Sequence, residues 1–422
     1  MTIKNYKICV VGLGYVGLPL AIELSKFFPV TGIDVSLERI NELKVFKDST
    51  GEVSKKELMT SLKSNLKLTS TYNDTSSSNV YIVTVPTPIN KLKQPDLSYL
   101  ISSSNEISRI LKKNDIVIYE STTYPGCTEE LCVPILEKES KLKFNKDFFV
   151  GYSPERINPG DKIRRLPDIK KVISGSNKIA LRIVKNIYSK IISAGIYEAP
   201  SIKVAEASKA IENAQRDLNI SFVNELSMIF KKMNIDTKEV IDAAKTKWNF
   251  IPFKPGLVGG HCIGVDPYYL VYKAKKLGYD PKVIKSGRAV NDKIPNFIFE
   301  SSIELAVKKK INISKSNVLI LGLTFKEDCP DVRNSKVFDL IALYRKWGIN
   351  LDVYDPLVER GVIKQKYDLD ILEKKPDLNL YQIIILAVPH KVFKQLKIKT
   401  NSKKVIFDVK STLPNKFSDL RL

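Results

Sequence analysis

The sequence predicts an α/β protein in which two Rossmann-like doubly wound domains are joined by a long central helix and a helical middle domain. Three observations carry this. Apolar, β-rich runs alternate with helix-like segments from Tyr6 to Tyr152, which is the rhythm of a parallel sheet. From Ile202 to Met233 there is no proline and no turn signal, and apolar residues recur at helical spacing. Near Ser314 the strand–helix rhythm begins again. At 422 residues the chain exceeds what one core usually supports, and the expected division is 1–200, 201–312 and 313–422.

Composition narrows the class. With 43% hydrophobic and 27% charged residues the chain is ordinary for folded globular domains. The apolar stretch from Ile8 to Leu24 contains Gly12, Gly14, Gly17 and Pro19 and has no cleavage-site pattern after it, so it reads as a strand entering a helix and not as a signal or membrane segment. Five cysteines without paired spacing and only two histidines argue against a disulfide framework and against a metal site. The cytoplasm is the expected location. The net charge of +22 is spread along the chain without a basic block, which speaks for an anionic small-molecule substrate and against nucleic acid.

Taken in order, the strand-like run Tyr6 to Val11 breaks into Gly12-Leu13-Gly14-Tyr15-Val16-Gly17 and continues as the helix-like Leu18 to Phe27. This is GxGxxG between a strand and a helix, where glycines allow a tight turn and bring a pyrophosphate to the helix N-terminus. A second strand, Val30 to Val35, carries Asp34, twenty residues after Gly14. A carboxylate there accepts from a ribose diol and repels a 2′-phosphate, which favours NAD over NADP. Strands Val80 to Val85 and Asp115 to Tyr119 end in Pro86-Thr87-Pro88 and in Glu120-Ser121-Thr122-Thr123, so these turns are expected to line the cofactor site. Phe148 to Tyr152 ends in Ser153-Pro154-Glu155-Arg156-Ile157-Asn158, which puts Glu155 at the same rim.

The central helix places Lys209, Asn213 and Arg216 at i, i+4 and i+7 on one face; by itself this is either a solvated polar stripe or a functional one. Further helices are expected over Asp236 to Ala244, Pro267 to Leu277 and Pro281 to Val307, the last kinked or broken at Pro295. In the second sheet, strands are expected over Asn317 to Leu321, Asn350 to Tyr354, Tyr381 to Val388 and Lys404 to Val409. The first turn there has one glycine, with Lys326 and Arg333 beside it to supply charge to a nucleotide. The most pointed stretch is Gly259-Gly260-His261-Cys262-Ile263-Gly264-Val265-Asp266. Two glycines let a backbone approach a ligand closely, and a thiol and a carboxylate follow.

GLGYVGLPLA, STTYPG, SPERINPGD, EASKAIENAQRDLNISFVNEL, GLVGGHCIGVDPYYL and GLTFKEDCPDVRNS occur in this order, and through them the chain resembles the nucleotide-sugar 6-dehydrogenases of the UDP-glucose/GDP-mannose dehydrogenase family over essentially its full length. His261 and Val265, where UDP-glucose enzymes usually carry Ser and Lys, make it most similar to the branch acting on UDP-N-acetylhexosamines. The resemblance implies NAD as cofactor, a UDP-sugar substrate, a homodimer formed by the helical middle, and oxidation of the sugar C6 hydroxyl to a carboxylate. It implies catalytic roles for Cys262 as nucleophile, Lys209 with Asp266 at the alkoxide, Glu155 as acid and base, Thr122 in placing a water, and Asn213 in holding substrate. On the cofactor side it implies Gly12, Gly14, Tyr15, Val16, Gly17, Asp34, Arg39, Pro86, Thr87, Ser121, Thr122 and Arg333. On the substrate side it adds Arg156, Asn158, Phe253, Lys254, Gly259, His261, Lys326 and Arg288, the last either a surface residue or one reaching across a dimer. The other four cysteines are expected to be packing or loop residues. The alternatives are UDP-glucose or GDP-mannose as substrate, a two-domain hydroxyacyl-CoA dehydrogenase needing no thiol, and a non-catalytic nucleotide-sugar binding protein.

Overall fold

The computed structural model describes residues 5–90, 92–157, 164–396 and 400–422. They fold as two compact units, Met1–Glu212 with Tyr268–Tyr279, and Asn213–Pro267 with Asp280–Leu422. Segments of 201–312 contribute to both; in the second, Ile294, Ile298, Phe299 and Ala306 pack with the apolar residues of the second sheet.

The first unit is built on strands β1 (Ile8–Val11), β2 (Val30–Ile33), β3 (Leu66–Thr69), β4 (Val80–Val83), β5 (Ile116–Tyr119), β6 (Phe149–Tyr152), β7 (Lys171–Gly175) and β8 (Ile196–Glu198), in the order β3-β2-β1-β4-β5-β6-β7-β8. Only β6 and β7 pair antiparallel. In the first six strands the order is that of a dinucleotide-binding sheet, reversing direction at the β1/β4 boundary, where ligands of such sheets bind. Because the strands are covered on both faces, β1, β4, β5 and β6 are buried at every position.

The second unit carries β9 (Asn317–Leu321), β10 (Asn350–Tyr354), β11 (Ile383–Leu386), β12 (Val405–Asp408) and β13 (Leu420–Arg421), all parallel, in the order β10-β9-β11-β12-β13. This is the other common doubly wound order, with its switch point between β9 and β11.

Two expectations about helices change. Lys282–Lys308 is one helix with Pro295 inside it; Ile294 and Ile298, fully buried on either side of the proline, hold the segment helical against one lost hydrogen bond. The long helix Ile202–Met233 forms over the expected span but is turned the other way. Within the chain its apolar positions Val204, Ile211, Phe222 and Ile229 lie exposed, whereas Glu206, Lys209, Asn213 and Asp217 are buried. Arg216 is exposed and does not share their face.

The sharpest packing constraint lies at the first turn. Gly12 has φ +90°, and a Cβ on Gly17 would come within 1.8 Å of the Gly12 carbonyl oxygen and 2.4 Å of Thr84 Oγ1. Gly17→Ala is expected to lower stability by at least about 2 kcal/mol. Gly14→Ala, whose Cβ would meet nothing within 4 Å, should stay within about 0.5 kcal/mol of the parent. Thermal unfolding of the two variants checks this, and equal losses would contradict the geometry.

Candidate active site

The turn after β1 is held by its neighbours. Thr84 Oγ1 donates to the carbonyls of Val11 and Gly12 at 2.9 and 2.8 Å. Asp34 Oδ2 accepts from the Leu13 N–H at 2.9 Å and Oδ1 from the Ser36 N–H at 3.0 Å. Gly14 looks onto open space at the start of helix Gly17–Ser25, with Tyr15 and Val16 half-buried beside it. Open room at a helix N-terminus, with a carboxylate one strand away, fits a dinucleotide. Arg39 plays a bracing part. Its Nε donates to the Leu13 carbonyl at 2.8 Å, and its guanidinium pairs with Asp48 at 2.8 Å and with Glu42. The turns after β4 and β5 are knitted together: Thr87 Oγ1 donates to the Thr122 carbonyl at 2.7 Å, Ser121 Oγ to the Val85 carbonyl at 2.7 Å, and Tyr269 O–H to the Thr87 carbonyl. Pro86 is exposed beside them.

On the same unit, Glu155 and Lys209 meet through the main chain, the Lys209 ammonium donating to the Glu155 carbonyl oxygen at 2.9 Å. Both side chains are buried, so neither is the solvated surface group that its residue type would ordinarily be. The Glu155 carboxylate accepts from the Arg156 and Ile157 N–H groups at 2.5 and 2.8 Å and from the Lys171 ammonium at 2.5 Å. Burial works to raise its pKa, but the Lys171 charge and these hydrogen bonds hold it below the ordinary glutamate value. Glu155 is thus an ionised group at neutral pH, suited to accept a proton. Arg156 turns its guanidinium to Glu212 and to the Lys209 carbonyl. Asn158 lies outside the described residues. One turn before Lys209, the buried Glu206 accepts from Thr128 N–H and O–H and from Gly126 N–H, and so ties the STTYPG loop to the helix that carries the lysine.

The second unit holds the thiol. Of the five cysteines, Cys9, Cys127, Cys132 and Cys329 are buried and Cys262 is exposed. Its carbonyl accepts from the N–H groups of Val265 and Asp266 at 3.0 and 2.9 Å, in the turn that opens helix Asp266–Lys276. Asn213 Nδ2 donates to the buried Asp266 Oδ2. The glycines before the thiol allow close packing against the protein itself, and Gly259 also lines the pocket described below. A Cβ on Gly259 would lie 2.5 Å from the Asn334 carbonyl oxygen, and one on Gly260, at φ +78°, would lie 2.8 Å from the Phe325 ring. Asn334 Nδ2 donates to the Gly260 carbonyl at 2.8 Å. His261 Nε2 contacts Asp331 Oδ2 at 3.0 Å. Asp331 also accepts from Arg333 Nε and Nη2; burial opposes its ionisation, yet His261 and Arg333 hold the carboxyl well below the usual range. Arg333, expected near the cofactor, is engaged here in a pair within the second unit. Arg288 is not a surface residue: it is 3% exposed and bonded to Asp217 at 2.5 Å and Asp292 at 2.7 Å of its own chain.

Between the ends of β9 and β11 lies a pocket lined by Phe325, Lys326, Glu327, Lys336, Val388 and Lys410. It occupies the switch point of the second sheet, and its cations suit an anionic ligand. Lys326 stands 5.8 Å from the Phe325 ring centre. Phe253 is half-buried and Lys254 exposed in the loop leading to the cysteine. Lys410 was not singled out from the sequence, although it follows β12 and the rule for carboxyl ends of strands points to it. Burial and the Lys254 charge push its ammonium below the ordinary lysine value, with Glu327 opposing. Glu120, expected in a turn lining the cofactor site, is instead buried against Lys171 and Tyr188; a lysine opening a strand, as Lys171 does, carries no signal of burial. Among the described residues, no cluster of three or more His, Cys, Asp or Glu could hold a metal ion, and no helix is long and apolar enough to cross a membrane.

Comparison with known proteins agrees with this arrangement. Residues 6–192 match the NAD binding domain of the UDP-glucose/GDP-mannose dehydrogenase family, 203–293 its central domain and 319–415 its UDP binding domain. A UDP-N-acetyl-D-glucosamine 6-dehydrogenase of Salmonella typhi is 50% identical over 100% of this chain and 99% of its own. One from Pseudomonas aeruginosa is 51% identical over 99% and 100%. Among solved structures, a UDP-D-ManNAc dehydrogenase from Pyrococcus horikoshii superposes with a TM-score of 0.85 at 28% identity, covering 98% of each chain.

A diphosphate beside Lys410 would raise its lowered pKa again, so UDP binding is expected to weaken as pH rises through the free-state lysine pKa. Lys410→Met should weaken UDP about tenfold or more, flatten that pH slope and leave NAD binding unchanged. Titration calorimetry at several pH values measures all three; an unaltered UDP affinity would place the diphosphate away from this lysine.

Proposed function

The chain belongs to the UDP-glucose/GDP-mannose dehydrogenase family, and from that premise we propose that it oxidises the C6 hydroxyl of a UDP-N-acetylhexosamine, of gluco or galacto configuration, to the uronic acid through a covalent intermediate on Cys262. The observation that carries this reading is Cys262 itself, the exposed one among five cysteines, in a loop fixed by Asn334, Phe325 and Asp331. The full-length identity of about half to two UDP-N-acetyl-D-glucosamine 6-dehydrogenases supports the choice of sugar.

The Gly12–Gly17 turn and Asp34 would hold NAD, which would supply the hydride acceptor for both oxidations. Lys209, a buried cation, stabilises the alkoxide formed at C6 together with Asp266, which Asn213 orients. When the first hydride has left, the Cys262 thiolate adds to the aldehyde carbon, and the thiohemiacetal keeps the aldehyde from escaping. Loss of the second hydride gives a thioester. Glu155, ionised, takes a proton from the water that hydrolyses it, and the thiolate departs. Thr122 places that water. Across the whole sequence two hydrides and three protons leave, and one water is consumed. Arg156, His261 and Lys326 serve the substrate, and the pocket containing Lys410 takes the UDP. The exposed apolar face of helix Ile202–Met233 closes on a second copy to form a homodimer. The product is a uronic acid precursor for a surface polysaccharide, made in the cytoplasm.

Assayed for NADH against a panel of UDP-sugars and GDP-mannose, the enzyme is expected to turn over UDP-N-acetylglucosamine or UDP-N-acetylgalactosamine far faster than UDP-glucose. Equal turnover of UDP-glucose would remove the case for the acetylated substrate.

Cys262→Ala should leave the fold and NAD binding intact while acid formation falls by orders of magnitude, at ~1.4 kcal/mol per tenfold. Cys262→Ser should hydrolyse its acyl intermediate slowly enough for intact-protein mass spectrometry to detect a sugar-nucleotide adduct. If the Ala variant still yields two NADH per uronic acid at the normal rate, the covalent scheme is wrong.

A further inference from the structure

Behind the strand ends of the first sheet stands a row of buried ionisable groups of which the scheme above uses only one end. Lys171, the first residue of β7, is 3% exposed. Its ammonium donates to Glu155 Oε2 at 2.5 Å and to Glu120 Oε2 at 2.9 Å. The Glu120 carboxylate, at the end of β5, also accepts from Tyr188 O–H, and the Lys171 ammonium stands 5.3 Å from the Tyr188 ring centre. On the far side, Glu155 Oε1 takes the two N–H groups of Arg156 and Ile157. One carboxylate oxygen has about two lone pairs, so Oε1 is filled and Oε2 keeps one lone pair beyond Lys171. The remaining groups facing this row are Ser153, which bonds Tyr188, and Lys209, whose ammonium rests on the Glu155 carbonyl; the Arg156 guanidinium turns to Glu212.

One ammonium cannot neutralise two carboxylates, and the two are not equivalent. Burial, with repulsion from Glu155, outweighs Lys171 and raises Glu120 to about 7. Burial also opposes charge on Glu155, but Lys171 and the two N–H groups prevail and lower it. A proton shared by the row therefore rests on Glu120. A buried ion pair is by itself weak support for stability, since apolar replacements of similar volume are often as stable.

Resting on the role given to Glu155 above, we propose that Lys171 is a positioning residue of the oxidation: it pins the Glu155 carboxylate as the base and links it to Glu120, which receives one proton that Glu155 takes up. The step balances. Lys171 first gives an N–H proton to Glu120, forming the O–H bond there and leaving a lone pair on the nitrogen; the O–H bond on Glu155 then breaks as a new N–H bond forms on Lys171. The ammonium ends as it began, Glu155 is again a carboxylate, and the net charge of the row is that of the singly protonated state. Both transfers run between groups already in contact, so the only movement needed is a turn of the amine about Cε–Nζ that brings its lone pair from Glu120 to Glu155. The carboxylate is thereby restored for the next of the protons that a four-electron oxidation releases.

The test is the pH dependence of kcat with UDP-N-acetylglucosamine and NAD. In Lys171→Met, Glu155 keeps its burial and the repulsion of Glu120 but loses its cation, so the acid limb should move up by about one pH unit or more and kcat at neutral pH should fall about tenfold or more. In Glu120→Gln, Lys171 serves Glu155 alone and repulsion is removed. The acid limb should move down, while kcat falls several-fold with an enlarged solvent isotope effect. NAD affinity should be unchanged in both. Opposite shifts are the signature, since a merely structural lysine would lower activity without moving the limb. Because Lys171→Met leaves two carboxylates buried without a cation and could fail to fold, Glu120→Gln is the independent arm. Its downward shift supports the link, and a parent-like limb and isotope effect overturn it. Glu155→Gln separates the two ideas. If that variant is inactive while Glu120→Gln behaves as the parent, only the Lys171–Glu120 link falls; if Glu155→Gln turns over normally, the role of Glu155 falls and the link with it.

Discussion

In each of the two sheets a carboxylate at the end of the second strand closes the turn that follows the first. Gly12 and Gly322 leave β1 and β9 with φ +90° and +89°, and such a turn points backbone N–H groups sideways, where no strand can accept them. Asp34 Oδ2 accepts from Leu13 N–H at 2.9 Å. Asp355 Oδ2 accepts from Leu323 and Thr324 N–H at 2.6 and 3.2 Å. The other oxygen of each takes an N–H two residues on, that of Ser36 or Leu357. Everything at the strand ends depends on these turns being where they are: the Gly14 gap in one unit, the Phe325–Lys326 wall of the pocket in the other. The second unit adds His390, whose Nε2 contacts Asp355 at 3.0 Å and whose Nδ1 accepts from Asp328 N–H. That assigns the ring a neutral tautomer with the proton on Nε2. The parallel also tempers the sequence argument for the ribose. An acid at the end of the second strand has work to do in the fold whether or not a ribose arrives, so its presence is not by itself a sign of a dinucleotide.

What the sequence made legible follows from how strongly local pattern fixes local structure. Buried parallel strands such as β1, β4, β9 and β11 are continuous apolar runs, and no other element of that length looks like them. The edge strands β3, β8 and β13 and the antiparallel β7 are not legible in the same way because a charged residue interrupts each apolar run, Lys67, Glu198, Arg421 and Lys171. Helices such as Lys178–Ile191 were passed over although their apolar stripe is pronounced, for want of a motif to draw attention to them. The long helix shows the limit of periodicity. Its pattern located the element but not its orientation, since a stripe of apolar residues faces whatever covers it, and here Glu206, Lys209, Asn213 and Asp217 take the buried side. Polar burial of that kind is decided by partners distant in sequence, such as Gly126 and Thr128 for Glu206, or Arg288 and Asn291 for Asp217.

The candidate site was legible as types of residue and not as contacts. Motif spacing named Cys262, Lys209 and Glu155, and the structure gives each an environment that its residue type does not ordinarily have: an exposed thiol, a buried ammonium, a buried carboxylate held ionised. The reasons were hidden. Gly259 and Gly260 read as room for a ligand; Asn334 and Phe325 pack where their side chains would stand, and Gly259 still lines the pocket beside β9. Arg288 read as a surface or intersubunit group, but Asp217 and Asp292 hold it inside. In both cases the residue type signalled a special position, and only the fold could say special for what.

The same distinction bears on why the chain keeps two acids on one buried lysine. Had stability been the only demand, one acid would serve, because the second carboxylate adds desolvation and repulsion without a second cation to offset them. The neighbouring Lys209 does not supply that cation, since its ammonium rests on the Glu155 main-chain carbonyl. Tyr188 contributes a hydroxyl to Glu120 but no charge. The imbalance leaves Glu120 with a pKa near neutrality and Glu155 below its ordinary value, which are the settings of a proton acceptor and of a base held ready beside it. Stability would have removed such a pairing. A reaction that must dispose of protons from a buried carbon centre gives a reason to retain it.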